Sequence, residues 1–368
     1  MKIALLTSSR ADYSIYFPLI KVLSDDKFFD LNIIAFGTHL SSKYGQTINN
    51  ILADGFDISL KVDTIPNDDN PAGISKTIGN VIKKFSKVWE VQHFDLIIAL
   101  GDRYEMFAAC TASVPFNIPL AHIHGGETTL GAIDQFFRNS ISQMASLHFT
   151  ATEQYRNRVV ALKGDESNIY NVGALSIDNL KSLKLFSVEE FRERFGIDMD
   201  IPSILITFHP ETVSFEKNEL YVDELISALK LIKDYQLIIT MPNADTLGNI
   251  IRIRLQAFIS ENKLAIGVES FGTLGYLSCM KYCKMLLGNT SSGFIEAAYF
   301  PKYVINLGDR QSGRIITENI INCPLEKDHI IEAVGRYKNI KLPPSLNIYG
   351  NGKTAELIAG ILKSTFTI

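Results

Sequence analysis

Short apolar runs, each followed by a longer amphipathic stretch, recur along the whole chain and leave it few architectures. In the first half, strands are expected at Lys2–Thr7, Leu31–Phe36, Asp95–Leu100, Pro119–Ile123 and Leu147–Ala151. Helical periodicity falls between them, at Asp12–Leu23, Ile74–Val88, Met106–Val114 and Asp134–Ser146. The pattern restarts near residue 200, with strands expected at Ser203–Thr207, Gln236–Thr240, Leu264–Val268, Lys284–Leu287 and Tyr303–Leu307. Strands that are apolar throughout, rather than alternately apolar and polar, have both faces covered. Alternated with helices, they make parallel sheets. The expected fold is α/β: two doubly wound parallel-sheet (Rossmann-like) domains facing across a cleft. The boundaries are 1–180 and 181–368, and the sequence does not decide which domain receives the last helix, Thr354–Ser364.

A length of 368 residues suits two domains. Hydrophobic residues make up 46% and charged residues 21%, enough apolar material for two cores. The net charge of -4 offers no basic footprint for nucleic acid or an anionic membrane surface. No apolar run approaches the ~20 residues a membrane span needs, and Met1–Thr7 is too short for a signal-peptide core. A cytoplasmic location is expected. The four cysteines, Cys110, Cys279, Cys283 and Cys323, lack the second pair that a zinc site needs and read as buried thiols. No cofactor or metal is implied.

Open α/β sheets place their sites at the carboxyl ends of strands, and the charged residues of this chain gather there. One expected strand ends in Gly101-Asp102-Arg103. Another runs into His122-Ile-His124-Gly-Gly-Glu127, turns, and enters a helix carrying Asp134 and Arg138 one turn apart on one face. His122, His124 and Glu127 invite a metal reading, but ligands must converge, and spacing does not show where His124 points after the turn. The first strand ends at Thr7-Ser8-Ser9-Arg10, where helix amides and a guanidinium suit an anion. The polar loop 63–73 is either a lid or a plain surface loop.

The second half repeats the arrangement. Gly288-Asn-Thr-Ser291-Ser292-Gly293 joins a strand to an expected helix, Phe294–Phe300, with amides and hydroxyls placed to cradle a pyrophosphate. Glu296 on that helix suits a ribose diol better than a phosphate. Arg310 and Arg314 follow the next strand as cations for the same phosphates. His209, in Phe208-His-Pro-Glu211, ends the first strand of this half and has an ordinary pKa suited to proton transfer near neutrality.

Taken in order, these segments resemble the hydrolysing UDP-N-acetylglucosamine 2-epimerases of sialic-acid and legionaminic-acid type pathways, a family of glycosyltransferase-B-like fold. The resemblance runs through Ser-Arg-Ala-Asp-Tyr at 9–13, Gly-Thr-His-Leu at 37–40, Gly-Asp-Arg-Tyr-Glu at 101–105 and His-Gly-Gly-Glu at 124–127. It continues through Phe-His-Pro-Glu at 208–211, Pro-Asn-Ala-Asp at 242–245, the 288–293 turn and Gly-Asp-Arg-Gln at 308–311. It implies elimination of UDP to a glycal, then hydration to the free 2-epimer. The catalytic groups it implies are Asp102, Asp134, Arg138 and His209, with Glu127 in support. The UDP-sugar would be held by Arg10, His124, Asn243, Asp245, Ser291, Ser292, Gly293, Glu296, Arg310 and Arg314. Two substrates fit: UDP-N-acetylglucosamine, and UDP-2,4-diacetamido-2,4,6-trideoxyglucose. A glycosyltransferase on the same scaffold is the lesser alternative, and no acceptor patch is visible for it. The family also implies a homodimer or homotetramer. Reversible relatives tend to carry glutamate where His124 stands, and many carry histidine where this chain has Asn139.

Overall fold

A computed structural model of the chain describes residues 1–65, 70–242, 248–300, 302–338, 340–341 and 346–367. Among the described residues, thirteen strands form two sheets, and every strand pairing is parallel. The first sheet contains β1 (Lys2–Thr7), β2 (Asp30–Phe36), β3 (Leu60–Val62), β4 (Leu96–Leu100), β5 (Leu120–Ile123), β6 (Leu147–Thr150) and β7 (Ile169–Asn171). The second contains β8 (Ser203–Thr207), β9 (Gln236–Thr240), β10 (Ala265–Val268), β11 (Met285–Gly288), β12 (Tyr303–Leu307) and β13 (Ile320–Cys323). Their orders are β3-β2-β1-β4-β5-β6-β7 and β10-β9-β8-β11-β12-β13. The two expected doubly wound sheets are thus present. In each the strand order reverses once, between β1 and β4 and between β8 and β11. Such a reversal opens a crevice at the strands' carboxyl ends.

Alternation along the strands explains why both faces are filled. Ile3 and Leu5 of β1 join one core with Ile33, Leu96 and Ile98, while Ala4 and Leu6 join the other with Ile34, Phe36 and Ile97. At about 1.5–3 kcal/mol for each large side chain taken from water, these two layers are the main favourable term in the fold of this unit. The helix Tyr104–Ser113 is apolar nearly all round. Its Met106, Ala108, Ala109 and Cys110 lie wholly buried in the second layer, so its own unit accounts for that character.

Contacts divide the chain into two units that are not contiguous in sequence. Met1–Glu127, Asp134–Lys181 and Ile348–Ile368 form one, and Thr128–Ile133 with Ser182–Asn347 form the other. The final helix, Thr354–Phe366, places Ala355, Ile358, Ala359 and Leu362 in the first unit's core, which decides the side the sequence left open. Asp178 caps it, accepting the amides of Thr354 (3.1 Å) and Ala355 (2.7 Å) on a buried carboxylate. Residues 128–133 leave the expected first domain for a local reason. The Leu130 amide donates to Ser312 O (3.0 Å), Gly131 O accepts from the Thr212 amide (3.2 Å), and the Ile133 amide donates to Thr212 Oγ1 (2.9 Å). Among the described residues, no helix is long and apolar enough to cross a membrane.

Three of the buried histidines of the first unit predict its acid response. His39 sits between the hydroxyls of Thr7 and Thr47, at 2.9 Å each. Burial brings its pKa down to about 4, that of His122 to about 3 and that of His148 to about 4. The unfolded chain takes up these protons below about pH 6.5, whereas the folded chain refuses them until lower pH. Their contribution is therefore complete above pH 6.5 and is lost as pH falls toward 4. Each site supplies a slope of up to about 1.4 kcal/mol per pH unit. His39→Gln is expected to lower stability at pH 7 yet flatten its decline between pH 6.5 and 4.5, measured by urea unfolding. An unchanged slope would refute the assignment.

Candidate active site

In the first unit the site begins where β4 and β5 stop. Gly101 turns the chain after β4 and presents Asp102, whose carboxylate is bonded to the Arg138 guanidinium. Arg138 lies on the helix Asp134–Met144 and is 3% exposed, so its charge must be met inside the protein. Its Nη1 donates to the backbone carbonyl of Glu127 (2.9 Å). The Glu127 carboxylate meets His124 Nδ1 at 2.5 Å, and both side chains are buried. Asp102, Arg138, Glu127 and His124 thus form one bonded series. With Glu127 ionised, Nδ1 carries the shared hydrogen and faces away from Nε2, which is buried and makes no hydrogen bond. Asp134 opens the same helix one turn before Arg138 and is partly exposed.

The backbone pays for this geometry in strain. His124 adopts φ +66°, a left-handed conformation uncommon for a residue with a Cβ. Gly126 follows at φ +79°, where an added Cβ would stand 2.2 Å from the Tyr155 carbonyl oxygen, so only glycine fits. His122, the alternative metal ligand, has both ring nitrogens engaged. Nε2 lies 2.8 Å from the Gly101 carbonyl and Nδ1 2.9 Å from the Ser142 hydroxyl. A carbonyl only accepts, so Nε2 carries the hydrogen and Nδ1 accepts from Ser142. His122 therefore ties the turn bearing Asp102 to the helix bearing Arg138. Asn139, where many relatives have histidine, lies exposed on the outer face of that helix and accepts from Gln135.

The turn after β1 is closed by a side chain of its own helix. Asp12 accepts from the Ser8 and Ser9 amides (2.9 and 3.1 Å) and from both serine hydroxyls (2.6 and 2.9 Å), closing a capping box on the helix Arg10–Asp25. Arg10 is the first residue of that helix and is partly exposed.

In the second unit, β8, β11 and β12 end together. The segment after β11 forms a 3-10 turn at Ser291–Gly293 and then only a single helical turn, Glu296–Tyr299, in place of the expected helix Phe294–Phe300. The Ser292 hydroxyl is bonded to Tyr276 OH (2.6 Å) and Thr290 Oγ1 (3.2 Å). Burial pushes the Tyr276 phenol up to about 12, so it stays neutral and able to donate. Gly293 is packed against Val304, and Glu296 is half-buried at the head of its short helix. Arg310 Nη1 donates to the Asn289 carbonyl at 3.3 Å. Arg314 is buried, with Nε 2.6 Å from Gln311 Oε1 and its guanidinium over the Phe294 ring. It is therefore held within its own unit. His209 is buried at the end of β8. Asn243 and Asp245 lie outside the described residues.

Two residues not marked from sequence support this half. Glu211, with its pKa raised by burial, accepts the Asp309 amide at 2.8 Å. Asn289, wholly buried, bonds the main chain of His209. The signal for Asn289 was its place in the hydroxyl-rich turn, and nothing local distinguished it from its neighbours.

A family model described as UDP-N-acetylglucosamine 2-epimerase matches residues 21–363. A UDP-N,N'-diacetylbacillosamine 2-epimerase (hydrolyzing) of Legionella pneumophila is 33% identical, over 99% of this chain and 96% of its own length. Polysialic acid biosynthesis protein P7 of Escherichia coli is 36% identical, over 90% and 85%. The Methanocaldococcus jannaschii UDP-GlcNAc 2-epimerase, solved in complex with UDP-GlcNAc and UDP, superposes with a TM-score of 0.83 at 20% identity, over 99% of this chain and 100% of that one. With the site residues at the carboxyl ends of two doubly wound parallel sheets, the chain belongs to the UDP-N-acetylglucosamine 2-epimerase family.

Proposed function

We propose that this protein is a hydrolysing 2-epimerase that converts UDP-N-acetylglucosamine and water to N-acetylmannosamine and UDP. The observation that supports this most is the bonded series Asp102–Arg138–Glu127–His124, buried but for the partly exposed Asp102, with Asp134 one turn before Arg138 on the same helix. The C2 proton of such a sugar is barely acidic, so its removal needs a carboxylate held close and away from water. Asp102 or Asp134 takes that proton. The C2–H electrons form the C1=C2 bond as the C1–O bond breaks, and that electron pair departs with UDP. The charge arriving on the diphosphate calls for cations and donors. Arg10 and Arg310 serve here, with Ser291, Ser292 and the Gly293 amide. Asn243 and Asp245 are kept at the edge of the nucleotide site, with Glu296 on the ribose and Arg314 bracing the phosphate loop. Water then bonds to C1 of the glycal, and C2 receives a proton on the face opposite to the one that lost it. His209 or the second carboxyl supplies the acid or activates the water. His124, oriented by Glu127, contacts the sugar.

A second substrate is supported by the end-to-end match to the Legionella enzyme: UDP-2,4-diacetamido-2,4,6-trideoxyglucose, which is UDP-N,N'-diacetylbacillosamine. A site that bonds a substrate hydroxyl discriminates strongly against an analogue without it, and the two sugars differ at C4 and C6. A cytoplasmic location and a homodimer or homotetramer belong to the same proposal and rest on the family resemblance.

Proton NMR in deuterated water tests the reaction directly. UDP-N-acetylglucosamine is expected to give N-acetylmannosamine deuterated at C2, with equal release of UDP. UDP-N-acetylmannosamine without UDP would mean a reversible enzyme. Turnover of the diacetamido nucleotide alone would favour the second substrate, and silence on both would sink the epimerase assignment. Asp102→Asn and Asp134→Asn are each expected to lower kcat by roughly 10²–10⁴-fold, with UDP binding by calorimetry confirming the fold. Wild-type turnover in both variants would remove the carboxylates from the chemistry.

A further inference from the structure

The main chain of His209 is held in an unusual way. Asn289 Oδ1 accepts the His209 amide (2.7 Å) and Asn289 Nδ2 donates to the His209 carbonyl (2.8 Å), so one buried side chain closes both backbone groups of one residue. The paired strands β8 and β11 end at Thr207 and Gly288, and the Asn289 amide still reaches the Thr207 carbonyl (3.1 Å). Past that point the side chain continues what the ladder began. The Asn289 backbone carbonyl meanwhile accepts from Gln311 Nε2 (2.7 Å) and Arg310 Nη1 (3.3 Å). One residue therefore touches the backbone under the proton-transfer candidate and the cation proposed for the diphosphate.

We propose that Asn289 is the positioning residue of this half of the site, fixing the His209 ring relative to the Arg310 guanidinium. The role is conditional on His209 taking part in proton transfer. An amide is required because the clamp needs one donor and one acceptor in a planar fork. An ionised carboxylate has only acceptors and would face the His209 carbonyl with like polarity. A protonated carboxyl again offers one of each. Burial raises a carboxyl's pKa, so Asn289→Asp converts the clamp into one that works only when protonated.

The test follows UDP release by full-length N289D between pH 5.5 and 9 beside the wild type, with thermal midpoint and UDP affinity measured at each pH. At pH 8.5 its kcat is expected to fall about 100-fold, the loss that a small misplacement of a reacting group brings. At pH 6 the ratio to wild type should recover at least about tenfold, with KM changing little, as protonation restores the donor. A kcat ratio independent of pH, or folded variant turning over at the wild-type rate, would overturn the proposal. His209→Asn separates the two layers of inference. If H209N keeps wild-type turnover, the role of His209 fails and that of Asn289 with it; if H209N is inactive and N289D is normal, only the Asn289 role fails. Should N289D not fold at any pH, Gln311→Glu removes the donor to the Asn289 carbonyl while keeping an oxygen to accept from Arg314, and leaves the amide clamp in place. A kcat loss of about tenfold with KM little changed, roughly one neutral hydrogen bond, supports the role, and an unchanged kcat refutes it.

Discussion

Parallel strands cannot be joined by a tight turn, so each must return across a face of the sheet before the next begins. Within each sheet, that constraint makes every strand deliver its carboxyl end to the same side of its own sheet. Asp102, His124 and Arg10 come from different crossovers, yet all follow strands on one side of the first sheet. His209, Asn289 and Arg310 do so in the second. The reversals at β1/β4 and β8/β11 then open the edge where these loops emerge. Within each unit, chain topology alone brings these residues to one side of the sheet.

Within that frame, the two halves hold their functional groups by different means. The first relies on charge. A guanidinium with almost no access to water is met by Asp102 and by a backbone carbonyl, and removing either would leave a buried cation poorly compensated. The second relies on neutral amides. Asn289 bonds both main-chain groups of His209, and Asn218 does the same for Glu211, accepting its amide and donating to its carbonyl at 2.9 Å each. Neutral clamps of this kind hold the backbone without adding a charge of their own.

The two-sheet architecture was legible from runs such as Lys2–Thr7 and Ser203–Thr207, because short segments with unbroken apolar centres, repeated between helical stretches, have few other fates. The edge strands β3, β7 and β13 were not, since three or four residues carry no period to read. Asp102, Glu127 and Arg138 were legible through motif order and helix spacing. Asn289 and His122 were hidden for another reason. Each acts through backbone groups, at Gly101 or at His209, that lie far away along the chain and that any residue type could supply. Fold depends on patterns within a segment, and these supports depend on which segments meet.

The final helix has a consequence for how the molecule comes into being. Its apolar face completes a core begun by β1 and the helix Arg10–Asp25, and its amino end is received by Asp178. On the ribosome, those partners emerge long before Thr354–Phe366 is translated. The first unit must therefore wait, with Leu19, Ile20 and Leu23 only partly covered, while residues 182–347 are made and can already close their own core. Synthesis order and completion order run opposite to each other, and a helix translated after the second unit finishes the first sheet's hydrophobic layer.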